Sequence, residues 1–474
     1  MRQAPALAAL LICAGVTAPF AQILNGLESK YYVAGAPRVR HSLAERMRYY
    51  RVPAASVAVI DGYRVAWAYA AGLRDVASKA PAEPSTLFQA ASMSKPVAAA
   101  GILALFEAKH LDLNADVNTM LRSWHVPPPP GNSSERVTMR RLLSHTAGIN
   151  VHGFAGYDRD AALPTLVEVL DGAPPANNEA IRVVAVPGSA TAYSGGGTSI
   201  AQQLAVDVSG EPFPAFMEQT LLGKLGMTSS TFDQPLPQAL WPRAADGYYD
   251  DGRPVHRGWH VYPTMAAAGL WTTPSDLAAF VIAIQNALRG RGQPPIDVTV
   301  AREMTTRVSD GFGLGPGVLP GYFSHNGANE GFQGIFIGLN EGGKGVVVMT
   351  NSDNGLLLAD EVVHSVAKAY GWPILQPQPK SAIPLSSAAL EPCVGTYAAE
   401  LDGERVTLAV TTRESNGVTA LFLRSSLDGF ESRLYAEEPT RFFTLGGTSL
   451  QFVRGPRGEV TAVRAAGVTF ERLP

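Results

Sequence analysis

Cysteine is nearly absent from this 474-residue chain, which carries only Cys13 and Cys393. Two such residues, far apart, exclude a disulfide framework and a paired-cysteine zinc or redox site. A glycine-rich phosphate loop of the Walker type is missing, and so is a His-Glu-x-x-His pair. Nothing in the sequence therefore asks for a metal or a cofactor. Neither sign of charge is in excess: 38 basic and 41 acidic residues leave a net charge of −3. That balance gives no electrostatic footprint for nucleic acid or an anionic membrane. The apolar run from Ala6 to Ala18 falls short of the roughly 20 residues needed to span a bilayer. With Arg2 ahead of it and Ala21 just after Pro19-Phe20, it reads as a secretory leader, residues 1–21, removed from a mature protein that is periplasmic or secreted. Processing as a lipoprotein at Cys13 is disfavoured by the bulky Ile12, and loss of Cys13 with the leader would leave no intramolecular disulfide.

What the chain does contain is an ordinary globular composition, 46% hydrophobic and 17% charged, with length for two or three domains. Within it, Ser92-Met93-Ser94-Lys95 precedes the apolar stretch Pro96 to Phe106, which reads as a helix. On a helix, positions i and i+3 share a face, so Lys95 can reach the Ser92 oxygen. A serine hydroxyl is a weak nucleophile until a neighbouring base takes its proton, and a lysine amine can be that base. The helix start also favours the negative charge that develops in acyl transfer. The pattern alone is not specific. Ser365-Val366-Ala367-Lys368 matches it too, inside an amphipathic run ending at Gly371-Trp372-Pro373 that reads as an ordinary surface helix.

Helical spacing at Leu43, Met47 and Tyr50 is followed by two strands around Asp61-Gly62, and a second strand pair flanks Glu341 to Lys344 before a helix from Leu356 to Tyr370. These hairpins predict an antiparallel sheet with helices packed on it, an α/β lobe made of residues 22–111 and 308–375. Residues 112–307 read as a helical lobe: Thr138 caps a helix stopping at Gly148, Ser199 to Val208 forms another, and Thr273-Pro274-Ser275-Asp276 starts a third. Pro127 to Pro130 form a rigid loop, and the cleft between the lobes is the expected active site. Residues 376–384 look like a stiff proline-rich linker, and 385–474 contain short strands between Gly, Asp and Pro turns, a small all-β barrel.

Taken together, Gly72 to Leu105, Leu142 to Gly148, Pro187-Gly188 with Tyr193-Ser194-Gly195, Ala268-Gly269-Leu270 with Thr273 to Leu277, and His325-Asn326-Gly327 resemble the serine β-lactamase-like family. That family contains class C β-lactamases, DD-peptidases, D-aminopeptidases and family VIII carboxylesterases. The C-terminal segment, from Val394-Gly395-Thr396-Tyr397, resembles the lipocalin-like domains appended to some members. The resemblance implies an acyl-enzyme on Ser92, a proton relay through Lys95 and Tyr193, and an oxyanion hole from the backbone N–H groups of Ser92 and Ala328. It makes His325, Gly327 and Gly195 substrate-binding positions, with Gly327 leaving clearance for substrate along the strand. His145 reads as a structural, partly buried histidine. Gly195 stands where lactamase relatives have an asparagine, and His325 where they have a lysine, so the sequence favours hydrolysis of short acyl esters. D-aminopeptidase, DD-peptidase or weak β-lactamase activity is the alternative, and a non-catalytic binding protein on a dead hydrolase scaffold is an alternative of another class. The expected partners are small-molecule esters, amides or peptides, with no cofactor, no metal and no nucleic acid.

Overall fold

Gly62 and Tyr63 both take left-handed backbone (φ +60 and +62). This is the pairing a two-residue turn needs to reverse twisted strands, and it joins Ala54–Asp61 to Arg64–Asp75. Phe332–Leu339 and Gly345–Thr350 form the second hairpin, and the latter strand pairs with Ala54–Asp61, closing one sheet from both ends of the sequence. The order across this sheet is Leu11–Ile12, Arg64–Asp75, Ala54–Asp61, Gly345–Thr350, Phe332–Leu339, Tyr322–Asn329, Gly317–Leu319, all antiparallel, with Ala80–Pro81 added to Arg64–Asp75. The computed structural model describes residues 11–12, 17–129, 131, 133–401, 404–415 and 418–474. Most of the expected leader, Cys13 included, and Pro130 of the proline loop lie outside the described residues.

The chain forms two compact units. The first is Met47–Ala359 with the described residues before Ala21; the second is Ala21–Arg46 with Asp360–Pro474, whereas the sequence drew the boundary at residue 375. In the first unit the Thr273 hydroxyl accepts from Asp276 N and Pro274 opens the helix Pro274–Leu288, as expected. Its place is different: it belongs on the sheet, not in the helical lobe. Phe280 meets Phe336 edge to face at 6.0 Å, and Gln285 Nε2 donates to the Leu339 and Lys344 carbonyls at 2.8 Å each. The buried stripe Leu277, Phe280, Val281, Ile284 needs an apolar partner, and the sheet supplies it. The rest of the middle region is short helices separated by long loops, with short pairings such as Trp271–Thr272 with Phe88–Gln89. Thr138 caps Met139–Leu143, but that helix ends before Gly148 because His145 already has φ +59. The helix expected from Ser199 begins at Gly195, capped by Ser194, and ends at Gly210 (φ +77).

In the second unit, eight antiparallel strands from Gly395–Leu401 to Val468–Arg472 close into a barrel filled by Tyr397, Leu408, Phe442, Phe452 and their neighbours. The proline-rich segment read as a linker is partly a strand, Gln378–Lys380, paired in parallel with Tyr31–Val33. The Ser365 to Lys368 run is not a surface helix either. Ser365 is 5% exposed and its hydroxyl accepts from Glu28 N, while the Glu28 carboxylate is held by Arg38, Arg40 and Lys368. This second Ser-x-x-Lys is a structural joint.

Candidate active site

Ser92 sits where the short strand Phe88–Gln89 turns into the helix Ser94–Ala108, on a 3₁₀ turn formed by Ala91–Met93. Ala91 has φ +50, a left-handed conformation that is costly for a residue with a Cβ and that tends to be kept where function needs it. The turn is held by Ala90 N donating to Leu270 O (2.8 Å) and Leu270 N donating to the buried Ser94 hydroxyl (3.0 Å). Lys95, 3% exposed, lies one helical turn on. Its Nζ is 2.8 Å from Ser92 Oγ and donates to Ala267 O at 2.8 Å. Three side chains fix the stretch that carries Ala267. Gln202 clamps it through Pro263 O and Ala266 N, Asn329 donates to Ala268 O, and Gln234 donates to Gly269 O.

Tyr193 comes in from the residue before the cap of helix Gly195–Ser209, and its ring centroid is 4.9 Å from Lys95 Nζ. Around it stand His145 (4.4 Å between ring centroids), His152 (4.8 Å), Phe312 (5.9 Å) and His325 (6.0 Å). His325 is buried, and burial together with the Lys95 charge pushes its imidazole down to about 4. His145 is also held well below the usual histidine range, by burial first and then by Lys95, His325 and His152. Both imidazoles are therefore neutral near pH 7.

The strand Tyr322–Asn329 closes the other side. Two-residue turns join it to its neighbours, pairing Asn329 with Phe332 and Tyr322 with Leu319. In an antiparallel ladder the hydrogen-bonded pairs alternate, so residues 325, 327 and 329 bond to Phe332–Leu339 and the N–H of Ala328 points off that ladder. The neighbouring strand on that side stops at Gly317, opposite Ser324, which leaves the Ala328 edge open. Gly327 has a different reason from the one read in the sequence. A Cβ there would come within 2.2 Å of the Ala90 carbonyl oxygen and 3.1 Å of Ser92 N, so the glycine lets the strand dock against the Ser92 turn and does not clear a path for substrate. Gly195 likewise has no open room: a Cβ would meet the Phe154 ring at 3.0 Å and His152 O at 3.1 Å.

Ser92, Lys95, Tyr193, His325 and Ala328 thus converge, whereas Gly195 lies beneath Phe154. Sequence reading missed Ala267, Gln202, His152, Phe154 and Phe312, and gave His145 only a structural part. The loop carrying His152 and Phe154 has no periodicity to mark it. A metal would find three close ligands among the described residues only at exposed Asp158, Asp160 and His256, where Asp160 already pairs with Arg257 at 2.9 Å.

The depressed histidine has a measurable consequence. His325 binds a proton in the unfolded chain below about pH 6.5 and in the folded chain only below about 4, so its contribution to stability is present above 6.5 and lost as pH falls to 4. We expect the melting temperature to drop across that window and His325→Gln to flatten part of the drop. An unchanged slope in the variant, followed by calorimetry, would show that His325 is not the group that titrates.

The Beta-lactamase family model matches residues 39–369. Among curated proteins, the unguisins hydrolase ungD of Aspergillus violaceofuscus (strain CBS 115571) is 26% identical over 51% of this chain and 44% of its own. The putative penicillin-binding protein PbpX of Bacillus subtilis (strain 168) is 24% identical over 56% of this chain and 62% of its own. The chain thus spans about half the length of these two relatives. Among solved structures, the octameric penicillin-binding protein homologue from Pyrococcus abyssi superposes with a TM-score of 0.60 at 22% identity, covering 91% of this chain and 97% of that one. The D-amino acid amidase from Ochrobactrum anthropi SV3, with L-phenylalanine bound, gives 0.56 at 20% identity, covering 74% and 97%. These two share the fold, a serine β-lactamase and penicillin-binding-protein-like hydrolase fold. Because the matched range covers more than half of its residues, the chain belongs to the Beta-lactamase family.

Proposed function

We propose that this protein is an exported serine hydrolase that acts on short acyl esters through a Ser92 acyl-enzyme. The observation that carries the reading is the 2.8 Å approach of Lys95 Nζ to Ser92 Oγ with Tyr193 beside them. Lys95 takes the Ser92 proton while Oγ bonds to the acyl carbon. The carbonyl oxygen gathers negative charge against the N–H groups of Ser92 and Ala328. Collapse of that intermediate breaks the ester C–O bond, and the proton passes through Tyr193 to the departing alkoxide. Water then attacks the acyl-enzyme by the same relay in reverse, releasing the acid and restoring Ser92.

Esters are favoured over β-lactams by two features. Phe154 fills the room at Gly195 that an amide-binding side chain would use, and His325 is neutral and cannot hold a carboxylate as an ion pair. A lost hydrogen bond to a charged group is worth about 1.5–3 kcal/mol. An amidase or peptidase is the second reading. The D-amino acid amidase among the structures that share the fold supports that reading. The test is kcat/KM on p-nitrophenyl butyrate, nitrocefin and D-phenylalanine p-nitroanilide. We expect the ester to lead; nitrocefin in front would overturn the preference, and the anilide in front would establish the amidase. Cell fractionation tests export through residues 1–21.

A further inference from the structure

His145 grips three consecutive residues. Its carbonyl accepts from Ala192 N (2.8 Å), its Nδ1 accepts from Ser194 N (3.2 Å), and between them its ring lies on the Tyr193 ring at 4.4 Å with a 35° tilt. The second contact matters because Ser194 is the helix cap. Its hydroxyl is committed to Gly197 N and Asn150 O, and its own buried N–H would be left without a partner if Nδ1 were removed. Phe312 stands edge-on against His145 at 4.9 Å and also reaches the Tyr193 ring at 5.9 Å, so it braces both rings from one edge. The histidine is 3% exposed and holds φ +59, a left-handed conformation rare among non-glycine residues and found chiefly at asparagine, aspartate and histidine. Such strain is retained where the surroundings over-determine it. Since Nδ1 accepts, the neutral ring carries its proton on Nε2, which is buried and has no hydrogen-bond partner among the described residues, so the contacts His145 makes to the Tyr193 segment are the ones that hold the phenol's carrier.

We propose that His145 is the positioning residue that aims the Tyr193 phenol at Lys95 and Ser92. This rests on the hydrolase reading above. A misplacement of about 1 Å in a proton-transfer group can cost on the order of 10² in rate. His145→Ala removes the plate and the acceptor together. His145→Asn keeps an acceptor near the Nδ1 position, and asparagine tolerates positive φ, so the fold is retained with the plate alone lost.

The experiment is a double-mutant cycle on p-nitrophenyl butyrate, with kcat and KM measured separately. The variants are His145→Ala and His145→Asn, each alone and with Tyr193→Phe. In the wild-type background we expect kcat to fall roughly 10²-fold for alanine and roughly 10-fold for asparagine, with KM within about 3-fold. Where the Tyr193 hydroxyl is already gone, both losses should shrink to less than about 3-fold. If alanine at this position unfolds the protein, the asparagine pair completes the cycle. Equal losses in both backgrounds, or a kcat unchanged from wild type, would overturn the proposal. So would a variant that loses a limb of the pH–rate profile, because His145 would then be moving a proton itself. A wild-type protein with neither turnover nor fluorophosphonate labelling would overturn the hydrolase reading first, and this proposal with it.

Discussion

Ser92→Ala should abolish ester turnover and fluorophosphonate labelling while leaving the melting temperature within a few degrees of wild type. Removing the covalent nucleophile of a serine hydrolase costs a factor on the order of 10⁶, because what remains of the site binds substrate without a group to carry the acyl chain. The fold should tolerate the change. Ser92 is only half-buried, and the contacts that hold its turn come from the backbones of Ala90 and Leu270 and from the Ser94 hydroxyl, none of which the substitution touches. Mass spectrometry of the labelled protein locates the adduct. A label on Ser365 is excluded by the structure, since that hydroxyl is buried between Glu28 N and Glu361 O. Labelling that persists in Ser92→Ala would therefore refute the acyl-enzyme on Ser92 and put the reactive serine elsewhere, whereas a wild-type protein that is neither labelled nor active would leave the non-catalytic scaffold reading standing.

The two Ser-x-x-Lys copies show where sequence stops informing. Both were legible as one-turn pairings, because i to i+3 proximity is set by the helix alone. What separates them is the partner each meets from far along the chain: Ala267 O and Tyr193 for Lys95, Glu28 for Lys368. The same limit explains the helix Pro274–Leu288, whose cap was evident from Thr273 and Pro274 while its seat on the sheet depends on Phe336 and Leu339. Strand alternation and turn glycines are local, so the hairpins and the barrel strands were legible. Gly327 stood out as a position where a side chain would be in the way, but a glycine's lack of a side chain does not say which neighbour needs the room. Here it is the Ala90 carbonyl. In the aromatic surround of Tyr193, His152 was illegible, because it comes from an irregular loop held by its carbonyls to the start of helix Gly195–Ser209.

Lys95→Met and Tyr193→Phe should each lower the acylation rate by roughly 10²–10⁴, and together they should cost far less than the product. Lys95 has one contact to the nucleophile and one to Ala267 O, so the nearly isosteric methionine removes the base, keeps the packing of a residue only 3% exposed, and leaves one buried carbonyl without its donor. That orphan costs about 1–3 kcal/mol of stability, which melting will register separately from rate. Tyr193→Phe removes only the hydroxyl and retains the ring contacts with His145, His152 and Phe312. If lysine takes the serine proton and the phenol carries it onward, the path is broken by losing either, and the second loss adds little. Stopped-flow acylation with p-nitrophenyl butyrate measures the four corners of the cycle directly. Fully multiplicative losses would mean that the two groups act in separate steps, and a wild-type rate in Tyr193→Phe would leave Lys95 as the sole proton carrier.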